Sequence, residues 1–486
     1  MRFAYLAWLG LAAAALPPAA AAEQPLELGA CRLETGSLPA VFARCTTLTV
    51  PEDPREPEGR TIELFVARIG AQTATPRPDP LVLIAGGPGQ STVDFYLQVR
   101  EQFEPVRRDR ELVLLDQRGT GRSAEDLLCE TPDDLTLEMA DTGELARYVE
   151  RCLAELDGDP RFYTTSVAVQ DLERLRAALG VEQWNLYGVS YGTRVAQHYL
   201  RRFPERTRAV ILDGVVPAEV ALGPDVAPHA QAALERIFAR CAEDAACAHR
   251  FGDVEARFRA LAAAVAEQPL EVETLDAGSG RRTPVVFTSA HLQAVVRFMS
   301  YSPATASLLP LLVSEALDGN PEPLVSQARA LLQNLPEALS FPMHNAVVCT
   351  EDYPFFPVVA RVGLGETYLG TAIVDGLETI CSRWPRGVID PDFKRPVVSD
   401  RPVLLLSGEH DPITPPAYAE RAIAGGLTRA AHLVGRGQGH GLAAVGCVPR
   451  LMRAFLESAD PGAVDGACLE QEPPAPFFLS FMGPAP

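Results

Sequence analysis

Three side chains far apart in the chain have the types and surroundings that acyl transfer requires. Ser190 stands in Gly188-Val189-Ser190-Tyr191-Gly192, a G-x-S-x-G run. Asp411 lies in SGEHDPITP (407–415) and His440 in GRGQGHG (435–441). A serine hydroxyl is a weak nucleophile until a base takes its proton in the transition state. Histidine suits that task because it titrates near neutral pH, and a carboxylate must then fix its tautomer. The oxyanion formed on attack needs backbone N–H donors. Tyr191, next to the serine, and Gly87, in the glycine-rich AGGPGQS (85–91), are the candidates. Each role has a competitor. Asp213 also follows an apolar run and is an alternative acid. His410 is the chief rival base, but it adjoins Asp411, and neighbours on an extended loop point apart. His198 falls on the helical stretch after Ser190 and reads as a packed or solvated residue.

These side chains need elements to hold them. Residues 184–187 form a short strand-like run, and Val195, Tyr199 and Phe203, with Ala196 and Leu200, recur at helical spacing. A strand entering a helix through a sharp turn tolerates no bulk beside the turn, which Gly188 and Gly192 supply. Residues 81–84 and 112–115 are continuous apolar runs of the kind covered on both faces of a sheet. Asp116 and Arg118, after the second run, sit where an ion pair between them would brace the neighbouring loops. Residues 209–212, 402–406 and 432–434 continue the strand rhythm, and helical stretches alternate with them. The fold class is therefore α/β, a mostly parallel sheet with helices on both faces.

The rhythm breaks in the middle. The segments expected are a leader over 1–22, a first part of the sheet domain over 23–216, a mainly helical cap over 217–397, a second part of the sheet domain over 398–470, and a tail over 471–486. A polar, hairpin-like insert at 271–287 interrupts the cap. The leader reading rests on Arg2, the apolar stretch 3–16 and Ala20-Ala21-Ala22, and it implies an exported chain, periplasmic or secreted. All ten cysteines follow it, which suggests disulfides. Pairing of neighbours, Cys31–Cys45, Cys129–Cys152, Cys241–Cys247, Cys349–Cys381 and Cys447–Cys468, is the expectation, with other connectivities open. No C-x-x-C or H-E-x-x-H occurs, so no metal is expected. The formal charge of −20 argues against a nucleic-acid partner and against an anionic membrane surface. Lys394 is the only lysine, which removes most lysine chemistry. The proline-rich tail with Phe477, Phe478, Leu479 and Phe481 reads as docking on the protein surface.

In combination, AGGPGQS, LLDQRGTGRS, NLYGVSYGTR, LDGVVP, LLLSGEHDPITP and GQGHG resemble the proline iminopeptidase and tripeptidyl-aminopeptidase branch of the α/β-hydrolases. The resemblance implies a serine exopeptidase without a cofactor that acts on peptides with a free N-terminus. Proline iminopeptidases carry a histidine before GGPG where Ala85 stands here, a departure that favours the tripeptidyl type. Such enzymes need an anion for the substrate ammonium. By resemblance of residues 347–353 to the family's cysteine-then-acid segment, Glu351, with Asp352, is the expected anchor. A carboxylesterase with the same triad is the first rival, and a non-catalytic binding protein the second. Epoxide hydrolysis is disfavoured, because Ser190 stands where that chemistry needs a carboxylate.

Overall fold

The computed structural model describes residues 26–36, 38–124, 127–129, 142–275 and 280–484, so the leader expected over 1–22 lies outside the described residues. In chain order the strands are β1 (Gly29–Leu33), β2 (Val41–Pro51), β3 (Thr61–Ile69), β4 (Leu81–Ile84), β5 (Leu112–Leu115), β6 (Trp184–Val189), β7 (Thr207–Asp213), β8 (Leu270–Leu275), β9 (Arg282–Phe287), β10 (Val403–Gly408) and β11 (Ala430–Gly435). Nine of them form one sheet in the order β1-β2-β3-β5-β4-β6-β7-β10-β11. The β1–β2, β2–β3 and β3–β5 pairs are antiparallel; every pair from β5 to β11 is parallel.

Burial follows from that order. β4, β5, β6 and β10 are buried at every residue, as unalternating aliphatic runs in parallel strands require. β2 and β3, nearer the edge, alternate between wet and dry positions. Successive residues of the central strands point to opposite faces. Val82, Ile84, Leu186 and Leu405 pack with the helices Thr165–Ala178 and Tyr191–Arg202. Leu81, Leu83, Tyr187 and Leu404 pack with Thr92–Val99 and Val448–Ser458. Helices therefore cover both faces, and the carboxyl ends of the parallel strands share one edge.

Between β7 and β10 no described residue adds a strand to this sheet. The segment is helical, and β8 and β9 form the hairpin expected at 271–287. It has a core of its own around Leu234, Phe258, Val295 and Leu309. The tail docks on it, with Phe477 buried there and the Arg240 guanidinium 3.9 Å from that ring. All five disulfides join neighbouring cysteines as expected. No helix among the described residues is long and apolar enough to cross a membrane.

One expectation is corrected. Asp116 and Arg118 do not pair with each other. Arg118 is buried against Asp171 at 2.7 and 2.9 Å and reaches carbonyls of Glu52 and Phe162. Asp116 instead accepts from Ser91 Oγ and from the backbone of Val93 and Arg122, each at 3.0 Å. Residues two apart would share a face if the chain stayed extended, but the turn closed by the Thr120 N–H on the Gln117 carbonyl ends that alternation and sends the two side chains to different neighbours.

Candidate active site

β6 runs into the helix Tyr191–Arg202 through Ser190, whose φ of 54° and ψ of −124° no L-residue adopts freely. Such backbone strain costs about 1–3 kcal/mol and persists only where the surroundings impose it. They do so here by close approach. A Cβ on Gly188 would lie 2.3 Å from the Gly192 oxygen, and one on Gly192 2.2 Å from the Ile84 oxygen. The Ser190 N–H donates to the Asp213 oxygen at 2.9 Å, which ties the turn to the end of β7.

The structure brings Asp411 and His440 together. Asp411 follows β10, and its Oδ2 meets His440 Nδ1 at 2.8 Å. Its other oxygen accepts the N–H groups of Ile413 and Thr414 at 2.9 and 2.8 Å, and the Thr414 hydroxyl donates to Oδ2 at 2.7 Å. Burial alone would raise this carboxyl; His440 and the two amides outweigh it and hold the group below its usual range. For His440, burial works to lower the imidazole and the Asp411 charge overrides it, so the net shift is upward. With Nδ1 on the carboxylate, Nε2 is the atom left for proton transfer. Ser190 Oγ and His440 Nε2 share no hydrogen bond among the described residues, and both residues line the same cavity. Catalytic hydrogen bonds are commonly loose in free enzymes and tighten around substrate.

Asp213, the alternative acid, has a different task. Its carboxylate accepts the Leu442 and Ala443 N–H groups at 2.7 and 2.9 Å and the Tyr187 hydroxyl at 2.9 Å. It therefore holds the loop just past His440 rather than the imidazole. On the other side of the histidine, its N–H donates to the Tyr301 carbonyl at 2.7 Å, and the Tyr301 ring stands edge-on to the imidazole, centroids 5.1 Å apart. His410 donates its backbone N–H to Gln438 and does not line the cavity; His198 is buried against Asp390 at 2.7 Å.

The loop after β4 turns through Gly87 and Gly89, at φ of 103° and 102°, with a cis Gly87–Pro88 peptide. Gln90 Oε1 takes the Gly86 N–H at 3.2 Å, and Asp116 anchors the start of the following helix through Ser91 and Val93. Neither the Gly87 nor the Tyr191 N–H has an acceptor among the described residues. Gly86 lies against the serine, since a Cβ there would come within 3.0 Å of Ser190 Cβ. The Tyr191 N–H thus adjoins Ser190, and Gly87 follows the residue packed against that serine. The sequence marked Asp116 only as a brace for neighbouring loops and Asp213 only as an alternative acid; the backbone amides that each accepts are brought up by the fold.

Ser190, His440 and Gly87 open into a cavity of about 530 Å³, a size typical of ligand sites. Its walls are largely apolar, with Phe95, Val226, Phe298, Phe341, Val348 and Ile413 among them. Asp213 is the only carboxylate among the described lining residues, and its oxygens are already used. The structure does not bring Glu351 and Asp352 to this cavity. Glu351 is buried on Thr165, accepting its N–H at 2.7 Å and its hydroxyl at 2.9 Å. Asp352 takes both Arg194 nitrogens at 3.0 and 2.8 Å. Burial pushes the Glu351 carboxyl up to about 7, with Arg194 opposing. The two acids expected as the anchor thus lie outside the described cavity lining: their ionic partner is an arginine buried on the helix after Ser190, and only the folded chain shows it.

Residues 79–263 match the model of the alpha/beta hydrolase fold, and residues 366–468 match that of TAP-like proteins. Serine protease Hip1 of Mycobacterium tuberculosis is 32% identical over 248 residues, 46% of this chain and 46% of that one. Tripeptidyl aminopeptidase of Streptomyces lividans is 32% identical over 190 residues, 36% and 35% of the two chains. Proline iminopeptidase of Xylella fastidiosa is 31% identical over 144 residues, 30% and 34% of the two. The chain spans less than half the length of each of these curated relatives.

Proposed function

The chain belongs to the α/β hydrolases, with a TAP-like region towards its carboxyl end, and from that premise we propose that it is an exported serine aminopeptidase working through an acyl-enzyme. His440 Nε2 takes the Ser190 proton as Oγ attacks the acyl carbon. The developing oxyanion falls between the Tyr191 and Gly87 N–H groups. The imidazolium, paired with Asp411, passes its proton to the leaving amine as the C–N bond breaks. Water, deprotonated by the same histidine, then attacks the ester, and the proton returns to Ser190 as the acid departs. No step calls for a metal or an organic cofactor.

The reading is carried by the 2.8 Å bond from Asp411 to a histidine that lines the same cavity as a serine held at φ 54°. Relatives named as a serine protease and a tripeptidyl aminopeptidase support peptide substrates. Five disulfides support export, in keeping with the leader expected at 1–22. A carboxylesterase is the second reading, favoured by the apolar walls and by the lack of a free carboxylate among the described lining residues. Labelling by a fluorophosphonate probe, lost in Ser190→Ala, tests the nucleophile; an unlabelled wild type would leave only a binding protein. Turnover of free, N-acetylated and ester substrates then divides the two enzymes. An aminopeptidase hydrolyses the free peptides in preference to the acetylated ones, whereas activity confined to esters would overturn the peptidase reading.

A further inference from the structure

The helix Phe341–Glu351 touches the active site at both of its ends. Before its first residue, the Ser340 N–H donates to the Gly89 carbonyl at 3.0 Å, and Leu339 pairs with Gln90 as an antiparallel bridge. A Cβ on Gly89 would lie 2.5 Å from the Ser340 oxygen, so the two backbones are in direct contact. This end therefore holds the loop that carries the Gly87 donor. At the other end, the Tyr191 hydroxyl meets Thr165 Oγ1 at 2.7 Å, and Thr165 donates to both Glu351 oxygens. Asp352 takes Arg194, three residues along from Tyr191, in a bidentate pair. This end therefore holds the start of the helix that carries the Tyr191 donor. The eleven residues between span about 16 Å at 1.5 Å per residue. Phe341, His344, Asn345 and Val348, at successive turns, form one wall of the cavity.

We propose that this helix is a strut that sets the separation of the two oxyanion donors, with Glu351 and Asp352 as positioning residues at its far end. The inference rests on the serine-hydrolase reading above and extends it. It explains why two acids are buried beside an arginine at the back of the nucleophile turn: unpaired, either charge would be costly, and paired they fix the strut to the elbow helix. Because the middle of the strut is a cavity wall, a substrate that fills the cavity presses on the element that spaces the donors. Good and poor acyl groups are then distinguished in kcat as well as in KM.

The test loosens each end separately. At Ser340, φ is −74°, which proline adopts, but Ser340→Pro removes the N–H that grips Gly89 and sets the ring Cδ against the Gly89 oxygen, so it forces this end of the strut away from the loop. Ser340→Ala, which keeps that N–H, is the control for the lost hydroxyl. At the far end, Glu351→Ala removes the grip on Thr165. Mispositioning of one oxyanion donor costs up to about 10²–10³-fold in kcat. We expect Ser340→Pro and Glu351→Ala each to lower kcat at least tenfold with KM within about threefold, and Ser340→Ala to stay near wild type. Combined, the two losses fall short of their product, since both act on one spacing. An unchanged kcat, or a loss confined to KM, would refute the strut and leave the helix as a wall alone. Should Glu351→Ala not fold, Ser340→Pro against Ser340→Ala decides. Hydrolysis that survives Ser190→Ala in an otherwise wild-type chain would instead sink the catalytic reading, an outcome distinct from failure of the strut.

Discussion

Replacing Asp411 and Asp213 in turn by asparagine separates two acids that the sequence alone leaves in competition. Asp411 Oδ1 is occupied by two amides at 2.9 and 2.8 Å, so an asparagine keeps its carbonyl there and turns its NH2 towards His440. Nδ1 must then accept, the proton moves to Nε2, and the imidazole can no longer take the Ser190 proton. Such a tautomer switch costs about 10⁴-fold in kcat, or ~5.4 kcal/mol at 1.36 kcal/mol per decade. The Asp213 carboxylate accepts three hydrogen bonds, at 2.7, 2.9 and 2.9 Å, none of them from the imidazole. Asparagine there keeps Leu442, lets the Tyr187 hydroxyl turn to accept, and strands the Ala443 N–H. One buried donor without a partner costs about 1–3 kcal/mol, most of it in stability, so kcat should fall no more than about 10–100-fold. The assay is kcat on a chromogenic substrate at the pH plateau, beside the urea midpoint of each variant. A deeper loss of kcat in Asp213→Asn than in Asp411→Asn would show that the acid has been assigned wrongly.

Two further outcomes follow. Asp411 holds the His440 imidazole above its ordinary value, and the base must be neutral. The acid limb of kcat/KM should therefore lie above pH ~6.5, and Asp411→Asn should move it down; a limb that stays put would remove the pairing from the mechanism. Gly192→Ala sets a methyl group 2.2 Å from the Ile84 oxygen, whereas Gly70→Ala meets nothing within 4 Å. Thermal unfolding should show the first destabilised by about 1–3 kcal/mol with activity lost, and the second within ~0.5 kcal/mol of wild type.

The sheet and the turn at Ser190 were legible because their signals are local. Unbroken aliphatic runs such as Leu81–Ile84 are what a doubly covered strand needs, and Gly188 and Gly192 are imposed by contacts within one turn. The nearest-neighbour disulfides were legible for a related reason, since each closes a short loop inside one part of the chain. The edge strand Gly29–Leu33 was not, because β2 rather than its own pattern makes it a strand. Charged residues misled most. Glu351 reads as a free acid only if Arg194 is taken for a solvated residue of an amphipathic helix, whereas that arginine is 1% exposed. Asp116 and Arg118 likewise look like partners until the loop sends one to Val93 and the other to Asp171. Which buried charge meets which is decided by the packing of distant segments, and spacing along the chain carries no record of it.

The hydrogen bond from the His440 N–H to the Tyr301 carbonyl bears on how such hydrolases diversify. Gly439, beside it, has no room for even a methyl group, because the Tyr301 oxygen would lie 2.2 Å away. The segment between β7 and β10 is therefore stitched to the backbone of His440, the base of the proposed mechanism, and it cannot swing clear as a rigid flap while the histidine stays in register. New specificities can be built by repainting the inner wall, but a transplanted insert must reproduce this stitch and the one at Gly89. Recombination breakpoints that keep both are the ones expected to yield working chimaeras.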